Sequence, residues 1–539
     1  MALGLAGIGI LALVVMLDVA ADVNPAAERA KLQIEAIKYG LGSIAAGGAA
    51  AALLLAVRRQ RHAEQVHEHT VDDAAERRVT DLYTKAAEQL GHADAAVRLA
   101  GLYALERVAQ SNPKQRQTIV NVLCAYLRMP YTAPADAKAD TASGSTPLTA
   151  LPMPSGQPLP TDARNPHQEL QVRLTAQRIL SAHLCLPDDV EPRQAPSITP
   201  SPHERFWLDV DLDLTGATLI SWDLRRGNVR NVSFDSVSFL GDAGFGETTF
   251  NGEALFHGAT FNGDALFHGV TFNGEASFSG ATFSGIAGFS GATFRGIAGF
   301  LRVTFNSVVG FREATFSGGA WFPEATFSDN AWFSRVTFSG DAGFSRATFS
   351  GDATFSGATF SDDAGFDGAT FSGIALFPAA TFSRDAAFDG ATFSGVARFG
   401  EATFSGVAKF GEATFSGGAA FHNAAFNGTA WFGEATFSGV AGFDGATFSG
   451  DARFPGATFS GDARFLGAAF IGDARFPGAT FGRPPLLEHV SVTLRDDRED
   501  AWPRGWRLAP GASTGRLMRE ELAIDTIEVP PRTSVEEGG

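Results

Sequence analysis

Histidine and cysteine are the side chains through which this chain would do metal or nucleophile chemistry, and they are few and scattered. Cys124 and Cys185 lie far apart, with no CxxC spacing and no adjacent His. They read as unpaired small apolar residues in helices, as in a reducing compartment, with a disulfide between them as the alternative. His62, His67 and His69 stand on a charged helical stretch and read as a solvated face rather than as converging metal ligands. No phosphate loop, nucleophile elbow or metal-ligand spacing occurs in the chain. No catalytic, cofactor-binding or metal-ligating residue is therefore assigned, no cofactor is expected, and the chain does not read as an enzyme.

The residues that do recur are Phe. The chain has 47, none before Phe206. One series runs 234, 245, 256 and on to 476; another runs 239, 250, 261 and on to 481; both have a period of 11 without a slip. The step from one Phe to the next therefore alternates between five and six. Two residues before each Phe stands Ala or Val, with Thr248 the one exception, and two residues after it stands Gly in most copies. Period-2 spacing puts the small residue and the Phe on the same side of a short strand, and Gly turns the corner at little steric cost. In-register repetition of one unit predicts a solenoid.

At the entry to the array, Leu214, Leu219, Leu224, Val229, Phe234 and Phe239 follow one another at intervals of five. Asp213, Asp223 and Asn228 stand directly before the central residue of their units. This resembles the pentapeptide-repeat family, with its Ala-Asp/Asn-Leu-x-x consensus. Beyond about residue 241 the sequence departs from that pattern, with Phe for Leu and a sixth residue in every second unit. The resemblance implies a right-handed quadrilateral β-helix, mainly β, with four units per coil. The 5+6+5+6 spacing then sets the coil at two periods of the Phe pattern. In such a coil His257 and His268, at equivalent places in successive units, face opposite sides and cannot pair.

Function on such a rod lies on its outward positions. Before Phe in one series the residue is Thr in 20 of 23 copies, as suits β-branched residues stacked on their copies. In the other series it varies, and includes Trp321, Trp332, Trp431, Arg398, Lys409, Arg453, Arg464 and Arg475. Interfaces favour Trp and Arg, so these eight residues form the expected partner surface. The net charge of -17 excludes a binder that works through phosphate contacts, so no direct nucleic-acid partner is expected. Some gyrase-protecting family members are acidic rods resembling DNA. An acidic DNA-mimic modulator of an enzyme such as gyrase is thus the alternative function, although an acidic surface mostly serves solubility.

Upstream, residues 1–61 hold two apolar runs, Ala2 to Leu17 and Gly40 to Val57, the second followed by Arg58, Arg59 and Arg61. They are expected to be two transmembrane helices, with a secretory signal as the alternative for the first. Ser43 and Gly47 would let the second helix pack closely, and the basic cluster would keep the solenoid in the cytoplasm. Residues 62–129 carry helical apolar stripes, and 167–186 add a further helix, together a HEAT-like stack or a plain bundle. Proline-rich linkers at 130–166 and 187–205 separate these from the β-helix with its cap at 206–494, and a loose tail runs from 495 to 539. This arrangement resembles membrane-anchored pentapeptide-repeat proteins of actinobacterial type. It implies a non-catalytic interaction scaffold held in the cell membrane, with unidentified protein partners, lipid contact through the N-terminal helices, and room for a homo-oligomer.

Overall fold

Two-residue strands, each a buried small residue and an outward neighbour or an outward residue and a buried Phe, build the larger part of the molecule. The computed structural model describes residues 2–22, 26–134, 165–186, 205–509, 511 and 513–519. They fall into two units, Met1–Ala87 and Glu88–Gly539. In the second unit the strands stack into four sheets of 13, 13, 11 and 15 strands, parallel throughout the array, a β-solenoid of about 13 turns. Face 1 carries Phe234 and Phe256, face 2 Phe239 and Phe261, face 3 Phe245 and Phe267, and face 4 Phe250 and Phe272. Ala265 pairs with Ala287 and Thr271 with Thr293, so one coil is two periods of the Phe pattern, as the spacing predicts. Each Phe ring lies flat on its copy one coil away, as Phe344 does on Phe366 at 4.8 Å and 3°. Rings of faces 1 and 3 also meet each other edge-on, as Phe344 does Phe355 at 5.5 Å and 85°, and rings of faces 2 and 4 meet a neighbouring face in the same way, as Phe349 does Phe355 at 6.1 Å and 80°. Both geometries suit the aromatic quadrupole, and burying each ring contributes about 2 to 3 kcal/mol.

The coil widens as it starts. Leu219 pairs with Phe239, which is the spacing of four plain pentapeptides; Val229 pairs with Phe250, one position longer; and Phe239 pairs with Phe261, longer by one more. Thr248, the one departure from Ala or Val, stands in this transition. It is fully buried, and its hydroxyl donates to the Leu224 carbonyl at 2.6 Å. The added residue of each widened corner has a job as well. In most coils where it is Asp or Asn, its side chain accepts the backbone N–H one coil on: Asn330 from Asp352 at 2.9 Å, Asp352 from Ile374 at 2.8 Å, Asp385 from Val407 at 3.0 Å.

Corners that follow faces 1 and 3 have a left-handed residue, often not Gly: Glu313 (φ 58°), Arg335 (φ 56°) and Ala379 (φ 54°). Corners that follow faces 2 and 4 are stacked columns rich in Gly with ordinary φ from Gly252 onward. There a Cβ on Gly395 would stand 2.2 Å from the Gly373 carbonyl oxygen.

Both ends of the array are closed. Ahead of the first coil, helices α3 (Ala95–Ser111), α4 (Arg116–Arg128) and α5 (Pro166–Leu184) form a small bundle rather than a repeat stack. Asp94 and Asn165 cap α3 and α5 by accepting N–H bonds. Its core holds a charged cluster, in which Glu169 accepts from Arg98, Arg173 and Tyr126, at 3.0, 3.0 and 2.9 Å. Two glutamines dock it on the first coil by imitating a peptide group. Gln117 bonds both the N–H and the carbonyl of Asp211, at 2.9 Å each; Gln177 does the same for Ile220, at 3.0 and 2.9 Å. At the far end Ser491–Thr493 continues face 4, and antiparallel strands Thr514–Arg519 and Trp506–Ala509 extend it past residue 494. Trp502 lies against Phe470 and Phe476 and covers the last rings.

The first unit pairs helix α1 (Ala2–Ala21) with the start of α2 (Ala26–Leu90), and Leu13 packs against Gly40, where a Cβ would find no room. The two expected transmembrane helices are not supported: among the described residues no helix is long and apolar enough to cross a membrane. The first apolar run, Ala2 to Leu17, is shorter than the roughly 20 residues a bilayer core usually takes. The second is rich in Ala and Gly and lies inside a 65-residue helix that continues through the basic cluster. The side chains of Ser43, Gly47, His62, His67 and His69 lie outside the described residues, as do most of the two proline-rich linkers and the tail from 520.

Candidate functional site

The variable outward positions do not form one surface. One period of the Phe pattern is half a coil, so alternate members of the series point in opposite directions. Trp321, Lys409, Trp431, Arg453 and Arg475 stand on face 1; Trp332, Arg398 and Arg464 stand on face 3. The Thr series divides in the same way between faces 2 and 4, where the side chains are half-buried. His257 and His268 likewise sit on faces 1 and 3, the first bonded to Asp235 at 2.8 Å.

Four of the five basic residues are already engaged. Arg453 reaches Asp451 at 2.8 Å, Arg464 reaches Asp444 at 3.0 Å, and Arg475 reaches Asp473 and Glu499 at 3.0 and 2.6 Å. Lys409 reaches Asp385 at 2.9 Å, which raises the Lys409 pKa and holds the Asp385 carboxyl below its ordinary range. Arg398 makes no ion pair among the described residues. The three indoles stay open, with Trp321 41%, Trp332 48% and Trp431 37% exposed. Each lies near glycines that leave room for the ring: Trp321 over Gly343, Trp332 beside Gly310, Trp431 over Gly411 and Gly433.

Around Trp431 face 1 is hollowed into an open cleft of about 800 Å³, lined among others by Asp389, Lys409, Glu412 and Glu434. Sequence reasoning named Trp431 and Lys409 but missed the two glutamates. Their signal was the unit Gly-Glu-Ala-Thr-Phe recurring at 411 and 433, one coil apart. Further along the same face Asp367 is pushed above its ordinary pKa, first by burial and then by the charge of Asp389. Asp341, Asp362 and Asp363 form the one metal-capable cluster among the described residues, and two of the three are exposed. Cys124 and Cys185 are free, and burial pushes both thiols up to about 12.

A coil of four short strands, with a buried central residue and a small residue on each face, defines the class. A family model described as pentapeptide repeats (9 copies) matches the chain in overlapping segments: 228–271, 256–302, 289–337, 322–370, 355–403, 399–447 and 443–484. The array over residues 228–484 is thus built of pentapeptide repeats. No curated protein and no solved structure matches the chain.

Proposed function

We propose that this protein is a non-catalytic interaction scaffold, with faces 1 and 3 of the solenoid as two back-to-back docking surfaces. The observation that carries this reading is the set of open indoles, Trp321, Trp332 and Trp431, on an otherwise regular rod. Exposed Trp is rare on a surface with no partner and frequent at the centre of interfaces. The alternative, an acidic DNA mimic, has less support, because aspartates at the widened corners are accounted for as acceptors of backbone N–H groups. The test is quantitative affinity capture with the full chain and with a variant carrying Trp321→Ser, Trp332→Ser and Trp431→Ser. Loss of specific partners from the variant is expected; an identical set captured by both would overturn the reading.

The same proposal places the scaffold at a membrane, solenoid on the cytoplasmic side. Ile10, Leu11, Val14, Leu53, Leu54 and Leu55 are exposed apolar side chains of the N-terminal helices, and Arg58, Arg59 and Arg61 are exposed next to them. An apolar surface bordered by cations suits the interface of an anionic bilayer rather than a span across it. Flotation with phosphatidylglycerol vesicles tests this. Binding that weakens on Arg58→Ser, Arg59→Ser and Arg61→Ser is expected, and equal flotation with phosphatidylcholine would overturn the charge contribution.

A further inference from the structure

The corner that follows face 1 occurs twice in contrasting form. In the middle of the rod it is an ion ladder: Glu324 bonds Arg302 at 2.7 Å and Arg346 at 3.1 Å, one coil to either side. Four coils further on, the same position holds Glu412 and then Glu434, successive coils with like charge. Neither makes an ion pair among the described residues, since the nearby Lys409 is tied to Asp385 on the other edge of the face. Both glutamates stand in the left-handed region, at φ 57°, where Gly would fit without strain. Between that edge and Lys409 lies the open cleft, and Trp431 forms its aromatic floor. The indole backs onto Gly411 and Gly433 and turns its other side to solvent. Its N–H makes no hydrogen bond among the described residues.

We infer that this cleft takes an arginine side chain from an extended basic segment of a protein partner, the guanidinium stacked on Trp431 and bonded to Glu412 and Glu434. The inference rests on the scaffold reading and names the chemistry of one of its partners. A planar guanidinium suits the site better than an ammonium, because it stacks on an aromatic face and offers a fork of donors to paired carboxylates. The molecule uses the same solution for itself at Glu324, where two arginines do the work. An anionic ligand is disfavoured: Asp389, Glu412 and Glu434 line the cleft, and the one cation, Lys409, is already paired.

The probe is the blocked peptide acetyl-Gly-Arg-Gly-Arg-Gly-amide, titrated calorimetrically into the full chain at low ionic strength. Saturable binding at one site is expected. Trp431→Ala should weaken it about fivefold, and Glu412→Gln with Glu434→Gln about tenfold. Glu324→Gln and Trp332→Ala should leave it unchanged. All these positions are on the surface, and unchanged thermal unfolding of each variant confirms that the fold is kept. Absence of saturable binding overturns the inference, as does binding indifferent to Trp431→Ala and the glutamine pair. Equal binding of the lysine or glutamate version of the peptide overturns it too. If the peptide fails while partners are still captured through the tryptophans, this inference falls and the scaffold reading stands.

Discussion

Corners after faces 1 and 3 and corners after faces 2 and 4 have the same residue in the sequence, Gly two positions past Phe, for different physical reasons. After faces 1 and 3 the backbone turns through the left-handed region. There Gly is only the least strained choice, and Glu, Arg, Asn and Ala also occur. After faces 2 and 4 the φ angles are ordinary but the coils almost touch, so a Cβ added to most of these glycines would crowd the backbone one coil away, and Gly gives way only at Ser307, Asp329, Asp362, Arg384 and Arg483. Both kinds of corner carry charge, since Arg384 lies 3.6 Å from Asp362 on the second kind, but replacements of Gly are more numerous on the first. The ladder of Arg302, Glu324 and Arg346 and the acidic pair at Glu412 and Glu434 both lie on the first kind.

The sharpest test of this difference is Gly395→Ala, at a corner after face 2. The new methyl would meet the backbone of the coil below, at 2.2 Å from the Gly373 carbonyl oxygen. Backbone cannot swing away as a side chain can, so a loss of about 2 to 3 kcal/mol is expected. Chemical denaturation of the full chain checks it, together with hydrogen exchange across 370–400, since coils feel mainly their neighbours. A loss below about 0.5 kcal/mol would break the distinction.

How far the sequence reveals these features depends on whether a feature repeats. The coil length follows from the Phe spacing because a stacked core tolerates no slip, and the register of Ala265 with Ala287 agrees with it. The kind of corner does not follow, because Gly answers both to positive φ and to close contact; only the Glu that replaces it on one kind, against Asp on the other, betrays the difference, since Arg and Ser occur on both. The partner residues were legible as types but not as a surface, since half a coil separates Trp321 from Trp332. The ion pairs of Arg453 and Arg475 were written two residues upstream, as Asp451 and Asp473, yet carry meaning only once the strand direction is known. Single-copy features stayed out of reach. Gln117 and Gln177 are ordinary helical residues until they meet the first coil. The second N-terminal apolar run was overread because its many Ala and Gly look apolar in a count but add little hydrophobic area.

The added residue of the widened corners supplies the next test. Asp352→Ala, after face 2, removes the acceptor of the Ile374 N–H and should cost about 1 kcal/mol. Asp352→Asn keeps an acceptor oxygen and should restore most of it, which separates the hydrogen bond from the charge. Equal losses in both variants would mean that charge, not backbone satisfaction, explains the aspartates. Ala379→Gly, after face 3, should act in the opposite direction. Ala379 is held at φ 54° with no charge to complicate it, and relief of that strain should outweigh the added chain entropy by about 0.5 kcal/mol. The same chemical denaturation serves, and destabilisation would show that the left-handed corner is not strained.

The smallest effect is in the response to acid, and it should differ in sign between the two kinds of corner. Asp385, after face 4, is held below its ordinary pKa by its hydrogen bond to Lys409 and then by the Val407 N–H. The stability it lends is therefore present above about pH 4 and fades as the pH falls through its lower folded value. Asp367, at the turn out of face 1, is raised first by burial and then by Asp389. Its contribution is present below about pH 4 and fades as the pH rises through its higher folded value. Carboxyl resonances followed by NMR should show Asp367 titrating above Asp385. With Asp389→Asn, Asp367 should move back toward the ordinary value while Asp385 holds its place. If both carboxyls titrate together, the two corners do not differ electrostatically, and the contrast between them reduces to backbone geometry alone.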